Sequence, residues 1–333
     1  MTTWEFTPAQ SAAMPEHPAV AAWLKVVPRA DRPESVTVLK GRGHSMVYRL
    51  AGAGPAGSSM IAKYCTQEAA EIESAVYRDI LPKMRLPTLH FRGWIKDDVD
   101  VKRCWLFIED AGDAQYSCDS VAHRALAGQW LGVIHSSTGR LPAPSSLPER
   151  GPDWYVEELR SLRRDIYRSF ANPGLRDDDL CTLKAVLRQC CLLESNWHHI
   201  ARLCEGMPRT LVHGDLARKN TRIRCSPQGQ YIVALDWETA GWGVPAIDLA
   251  QFTAGSITPD LAAYASAVQP AFDEQIVLRM AELGRIFRLI VAMSWEKDCL
   301  AGAWPARAMR HMKLYLADLA VAMEAYHWGY DGA

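Results

Sequence analysis

The sequence lacks several features that would assign a protein to a membrane, an export route or a nucleic acid. No apolar run reaches the roughly 18 residues that a membrane-spanning helix needs. The first residues, MTTWEFTPAQ, contain neither the basic region nor the apolar region of a signal peptide. No internal repeat is found, the formal net charge is −1, and no block of Lys and Arg stands out. We therefore expect a cytoplasmic protein that binds small molecules, and neither membrane nor nucleic acid.

The nine cysteines also lack a pattern. They form no CxxC pair, their spacing is irregular, and Cys190 and Cys191 are adjacent. This is typical of reduced, mostly packed thiols in a cytosolic protein. At 333 residues the chain exceeds the ordinary size of one domain, so two domains or one large unit with two lobes are expected.

The chemistry-bearing residues are concentrated between Leu211 and Asp236. A short apolar strand leads into a polar loop that contains Asp215 and is closed by Asn220, and a second apolar run ends at Asp236. Oxygen ligands of this kind suit magnesium, and their arrangement suits phosphoryl transfer from ATP. An ordinary polar turn would explain either half alone. Both halves in order, joined by a predicted hairpin turn at 226–229, favour the functional interpretation.

The spacing of these residues carries a resemblance to a known family. HGDLARKN, at 213–220, keeps the five-residue step from Asp to Asn of the protein-kinase catalytic loop. With Gly after His, with Asp-Trp-Glu at 236–238, and with Asp248 in the segment PAIDLA, the stretch resembles the aminoglycoside phosphotransferase family and its choline kinase relatives.

This resemblance implies an α+β, protein-kinase-like bilobal fold. The N-terminal lobe, 1–110, would be a small antiparallel β-sheet with one helix, and the C-terminal lobe, 111–333, would be larger and mainly α-helical, with ATP in the cleft between them. Asp215 would be the catalytic base. Asn220 and Asp236 would bind Mg²⁺, and Asp248 would support the catalytic loop from behind.

A glycine-bearing hairpin is predicted at Gly41 and Gly43, where the backbone could approach the nucleotide phosphates. Met46 stands where a third glycine would be, so an ordinary hairpin turn explains this segment equally well. A second glycine segment, 52–57, is a literal G-x-G-x-x-G. Because Pro55 removes an amide and a strand follows, we interpret it as a turn and reject a dinucleotide site.

The predicted ATP-binding lysine is Lys63, which ends an apolar strand and precedes an acidic helix. The resemblance implies that an acid on this helix pairs with it. We choose Glu73, because Tyr77 follows it by four residues as in the family, and keep Glu71 as the alternative. Glu109 and Asp110 end a later strand, at the position of the hinge between lobes, and are expected to contact adenine through the backbone only.

Periodicity predicts the remaining helices, and we expect His135 to be a packed structural residue at the end of one of them. The predicted helices cover 67–81, 120–137, 153–170 and 177–205, with three more between 259 and 328.

The acceptor is indicated only indirectly. Eleven residues separate Asp236 from Asp248, too few for the long activation segment of protein kinases, so no protein substrate is expected. Arg218 and Lys219 add positive charge inside the catalytic loop and should discourage a polycation. We therefore expect ATP-dependent phosphorylation of a hydroxyl on an antibiotic or similar natural product. The alternatives are a metabolic kinase for choline, ethanolamine, homoserine or a sugar, and an inactive nucleotide-binding protein.

Overall fold

The computed structural model describes residues 17–41, 45–84, 86–268 and 272–324. Within them the chain divides into two compact units. The first extends to Ala114 and also takes in Arg222–Thr239, and the second consists of Gln115–Thr221 and the chain from Ala240 onward. The predicted lobes at 1–110 and 111–333 differ from these units mainly in the segment after the catalytic loop, which joins the first unit.

The first unit is built on a five-stranded antiparallel sheet in the order β1-β2-β3-β5-β4, with a separate two-stranded sheet, β8-β9. The strands are β1 (Ser35–Lys40), β2 (Met46–Ala51), β3 (Met60–Thr66), β4 (Phe91–Lys96), β5 (Arg103–Glu109), β8 (Thr221–Ser226) and β9 (Gly229–Ala234). The 52–57 segment connects β2 to β3, as the sequence predicted.

Two helices complete the first unit. Helix α1 (Pro18–Val26) covers the sheet with Trp23, whose ring lies 5.3 Å from that of Phe107. Helix α2 (Gln67–Ser74) begins after Thr66, whose hydroxyl accepts a backbone N–H of the first turn. A single α-helix was predicted over 67–81. In the structure only its first half is α-helical, and its second half consists of π-helical turns over Ala75–Ile80.

The second unit is mainly helical, with a small three-stranded sheet in the order β6-β10-β7. The sheet contains β6 (Glu149–Arg150), β7 (Thr210–Val212) and β10 (Gly241–Gly243), and the helices are α3 (Val121–Thr138), α4 (Pro152–Ser169), α5 (Asp177–Ser195), α6 (Trp197–Cys204), α7 (Leu261–Val268), α8 (Glu274–Ser294), α9 (Lys297–Ala301) and α10 (Ala306–Glu324). The single helix predicted over 177–205 is wrong, since Asn196 divides α5 from α6. The last predicted helix extended to residue 328, and its residues 325–328 lie outside the described part of the chain.

Helix α8 passes through the middle of the second unit. Its Phe287 stacks on Tyr155 with ring centroids 3.9 Å apart. At Gly284 its backbone comes so close to the turn at Pro245–Leu249 that an added Cβ would lie 1.9 Å from the Ala246 carbonyl oxygen. A glycine in α8 thus permits direct contact with the turn that carries Asp248.

The main elements of the predicted fold class, an antiparallel sheet followed by a helical region, are confirmed. All nine cysteines are free thiols, but Cys181, Cys225 and Cys299 are exposed, so the expected packing does not extend to these three. In the described segments, none of the helices has the combination of length and apolar composition that would let it span a membrane.

Candidate functional site

The first unit contains a cluster of Lys63, Glu73, Asp236 and Glu238, here called the lysine cluster. Strand β3 supplies Lys63, α2 supplies Glu73, and the two other acids follow β9. The Lys63 ammonium forms ion pairs with Glu73 and Asp236, and it lies 2.9 Å from Oε2 of Glu238. Both Lys63 and Glu73 are buried. The structure thus brings together three residues named from the sequence, Lys63, Glu73 and Asp236, and adds Glu238.

Burial and charge act against each other in the lysine cluster. Burial raises the pKa of the Glu73 carboxyl to about 7, although the Lys63 ammonium lowers it. Burial also lowers the pKa of Lys63, but the attraction of the three carboxylates outweighs it and holds that pKa well above its ordinary value. Lys63 therefore stays protonated, and its single ammonium group contacts three carboxyl groups.

The lysine cluster fits a divalent cation. Carboxylate oxygens of Glu73, Asp236 and Glu238 lie within 4.8 Å of one another, and Oε2 of Glu73 is buried with no hydrogen-bond partner among the described residues. One ammonium against three carboxylates leaves negative charge that a hard cation with oxygen ligands would neutralise. The donor set is therefore suited to Mg²⁺.

Local backbone geometry sets the direction of Asp236. Its φ of +64° is in the left-handed region, which Asp adopts more readily than most residues other than glycine. The hydroxyl of Tyr77 donates to the carbonyl of Ala234, in the strand that leads to Asp236. Glu71, the alternative partner for Lys63, instead accepts a hydrogen bond from Gln67 on the exposed side of α2.

The second unit contains a cluster of Asp215, Lys219, Asn220 and Arg288, here called the aspartate cluster. The Asn220 amide nitrogen donates to the Asp215 backbone carbonyl at 2.9 Å and to Oδ2 of its side chain at 3.0 Å. This leaves the carboxamide oxygen of Asn220 as the atom suited to a cation. Two residues five positions apart are therefore held as one unit, as the motif predicted.

Asp248 supports the loop that presents Asp215. Its carboxylate accepts the backbone N–H groups of His213 at 2.7 Å and Gly214 at 3.1 Å. Behind it, Nε2 of His135 lies 3.6 Å from Asp248 Oδ2, and Nδ1 of His135 lies 3.0 Å from the hydroxyl of Tyr264. Asp248 and His135 are both buried, as their expected structural roles require.

Two cations contact the Asp215 carboxylate. Nζ of Lys219 lies 3.0 Å from Oδ2, and Nη2 of Arg288 lies 2.6 Å from Oδ1. Both also lie over the ring of Trp295, with Cζ of Arg288 at 5.4 Å and Nζ of Lys219 at 5.8 Å from its centroid. Sequence reasoning missed Arg288. The available signal was a single charge within the apolar run Ile-Phe-Arg-Leu-Ile at 286–290.

The other predicted nucleotide contacts are less specific. Gly41 lies between β1 and β2, where an added Cβ would make only ordinary contact with Val38, and Gly43 falls outside the described residues. The amides of Glu109 and Asp110 already donate to the carbonyls of His90 and Ser59. An adenine contact at this strand end would therefore require other backbone groups.

Comparison with known proteins shows which family model the chain matches. The model of the phosphotransferase enzyme family matches residues 65–283, which include Asp215, Asn220 and Asp236. No curated protein sequence matches the chain significantly.

Solved structures share the fold at low sequence identity. The GDP and kanamycin complex of APH(2")-IIia is 12% identical, with a TM-score of 0.63, and 92% of this chain and 98% of that chain are covered. An ethanolamine kinase from Plasmodium vivax is 14% identical, with a TM-score of 0.57 and coverages of 88% and 84%. Spectinomycin phosphotransferase APH(9)-Ia, in complex with ADP and spectinomycin, is 11% identical, with a TM-score of 0.55 and coverages of 90% and 97%. These similarities confirm the predicted kinase-like fold.

Proposed function

Since this chain belongs to the phosphotransferase enzyme family, we propose that it transfers the γ-phosphate of ATP to a hydroxyl group of a small molecule of low positive charge. The observation that carries this proposal is the aspartate cluster, in which Asn220 holds one carboxylate oxygen of Asp215 in a loop fixed by Asp248. A buried carboxylate held in this way can orient a hydroxyl and accept its proton.

The chemical step follows the general course of phosphoryl transfer. The acceptor O–H bond breaks and its proton passes to Asp215, while the hydroxyl oxygen bonds to the γ-phosphorus. The bond from that phosphorus to the β–γ bridging oxygen breaks, and the nucleoside diphosphate leaves. Lys63 binds phosphate oxygens and is oriented by Glu73.

Asp236, with Glu238 beside it, and Asn220 would hold magnesium. When bound, Mg²⁺ neutralises the negative charge on the phosphate oxygens and on the leaving group. The unpartnered buried oxygen of Glu73 and the excess of carboxylates over Lys63 support a cation at the lysine cluster. ATP is the proposed donor. Because APH(2")-IIia was solved with GDP, GTP belongs in the same assay.

The aspartate cluster argues against a cationic acceptor. An aromatic ring can bind a quaternary or primary ammonium through its face, but Trp295 already has Lys219 and Arg288 over its ring. A cationic acceptor that reached Asp215 would approach two positive charges, Lys219 and Arg288. This favours a neutral or weakly charged hydroxylated compound, such as an antibiotic or similar natural product, over choline or a polycationic aminoglycoside.

Two carboxylates of the second unit, Glu296 and Asp318, have partners of their own. Glu296 lies 2.6 Å from Nδ1 of His311, and Asp318 accepts a hydrogen bond from the Thr253 hydroxyl at 3.0 Å. The charge argument therefore rests on the two cations that contact Asp215.

A coupled assay of nucleotide consumption tests this proposal. Kanamycin, spectinomycin, other hydroxylated antibiotics, ethanolamine, choline and homoserine would be screened with Mg²⁺ and either ATP or GTP. Asp215→Ala serves as the inactive control, and we expect it to lose about 10²–10⁴-fold in turnover while ATP binding persists. Selective turnover of kanamycin or choline would refute the charge argument. Full turnover by Asp215→Ala would refute the proposed base.

A further inference from the structure

Arg288 is a buried cation in an apolar stretch of helix α8. It is 3% exposed, and its neighbours on α8, Phe287 and Leu289, are fully buried. A buried charge is costly unless it is paired and hydrogen-bonded. The contacts of the guanidinium therefore indicate what this position contributes.

The guanidinium joins three groups at the aspartate cluster. Nη2 lies 2.6 Å from Oδ1 of Asp215 and donates to the Ala254 carbonyl at 3.0 Å, while Nη1 donates to the Gly214 carbonyl at 3.2 Å. Ala254 has a φ of +44°, so this carbonyl belongs to a strained turn. A planar fork of donors can hold all three groups in fixed relation, which a single lysine ammonium cannot do.

The two oxygens of Asp215 are therefore not equivalent. Oδ1 is fully buried and forms an ion pair, without a directed hydrogen bond, with Arg288, which is itself buried and anchored to two carbonyls. Oδ2 faces Asn220 and also Lys219, whose side chain is 67% exposed. Because Oδ1 is fully buried, an incoming hydroxyl reaches the carboxylate at Oδ2, where Lys219 lies. Replacing an exposed, flexible lysine costs less than removing a buried, anchored arginine.

We propose that Arg288 is a positioning residue that fixes Oδ1 of Asp215, so that Oδ2 receives the acceptor's proton after the hydroxyl displaces Lys219. This inference rests on the proposed function of Asp215. In the step, the acceptor O–H bond breaks, its proton bonds to Oδ2, and the hydroxyl oxygen attacks the γ-phosphorus as the nucleoside diphosphate leaves. Arg288 gains and loses no proton.

The test is a double-mutant cycle with water as the acceptor. Hydrolysis of Mg²⁺–ATP by the full chain is measured for Arg288→Lys, for Asp215→Asn and for the double variant. Asn is used at 215 because it retains an oxygen for Arg288. Arg285→Lys, one turn earlier on α8, is the matched control, and thermal unfolding of every variant checks the fold. If Arg288→Lys does not fold, Arg288→Gln is taken through the same cycle.

If Arg288 acts through Asp215, Arg288→Lys lowers kcat about tenfold or more in the native background, and less than about twofold when Asp215 is already Asn. The KM for ATP should change little, and Arg285→Lys should retain its turnover. An equal loss in both backgrounds would show a purely structural role and overturn the inference, as would no loss in either. Unchanged hydrolysis by Asp215→Asn would instead overturn the proposed base, which separates the two failures.

Discussion

The carboxylate of Asp248 accepts the backbone N–H of His213 at 2.7 Å, two residues before Asp215. Its second oxygen accepts the N–H of Gly214. One side chain, 33 residues after Asp215 in sequence, thus satisfies two consecutive buried amides at the start of the loop that contains Asp215.

We expect Asp248→Ala to lower the free energy of unfolding by about 2–6 kcal/mol, because two buried donors lose their acceptor at roughly 1–3 kcal/mol each. Urea unfolding measures this loss. Asp273→Ala is the control, since Asp273 caps α8 on the surface and its removal should cost only about 1 kcal/mol. Equal losses in the two variants would contradict the supporting role of Asp248.

The pKa of Glu73 predicts a pH-dependent stability in metal-free protein. Its folded-state pKa of about 7 is above its ordinary value of 4.5, so the folded chain binds this proton more tightly than the unfolded chain. Stability should therefore fall as the pH rises from 4.5 to 7, by up to about 3 kcal/mol. Lys63 is protonated in both states over this range and adds no slope.

Urea unfolding between pH 4.5 and 8, in the presence of EDTA, measures this slope. Glu73→Gln should flatten it, whereas Glu71→Gln, on the exposed side of the same helix, should leave it unchanged. If Glu73→Gln retained the wild-type slope, the titration would belong to another group.

Asp236→Ala tests the proposed metal site. Turnover of ATP should fall by more than about 10²-fold, because several kcal/mol of charge stabilisation depends on the bound cation. Initial rates over a Mg²⁺ titration provide the measurement. Asp79→Ala removes an exposed carboxylate from the same unit as a control. A Mg²⁺ dependence like that of the wild type would exclude Asp236 as a ligand.

The residues predicted from sequence were those that local chain geometry determines. Asp215 and Asn220 lie five positions apart in one loop, and Asp236 follows a strand at a recognisable spacing. Their positions depend on a few backbone dihedral angles, so a short sequence motif is enough to predict them. Lys63 and Glu73 lie on consecutive elements, which made their pairing predictable as well.

Contacts between residues far apart in the chain leave no such motif in the sequence. Arg288 reaches Asp215 across 73 positions only because α8 packs beside the catalytic loop, and the apolar residues around it predicted a plain core helix. The division at Asn196 was missed because the apolar periodicity continues across it. The π-helical turns after Ser74 cover only six residues, too few for apolar periodicity to distinguish them from an α-helix.

The close approach at Gly284 gives the last prediction. Replacing glycine by alanine inside a helix ordinarily stabilises a protein by up to about 1 kcal/mol. Here the new Cβ would overlap the Ala246 carbonyl oxygen at 1.9 Å, so α8 must move away from the turn that carries Asp248.

We therefore expect Gly284→Ala to lower the free energy of unfolding by about 1–3 kcal/mol, the usual cost of overpacking. Turnover should fall as well, because Arg288 lies one helical turn further along α8. Urea unfolding and initial-rate assays measure the two effects. Glu282→Ala, on the exposed face of α8, is the control and should change both little. A more stable Gly284→Ala variant would show that propensity outweighs the contact, and that α8 is not held against this turn as closely as its backbone indicates.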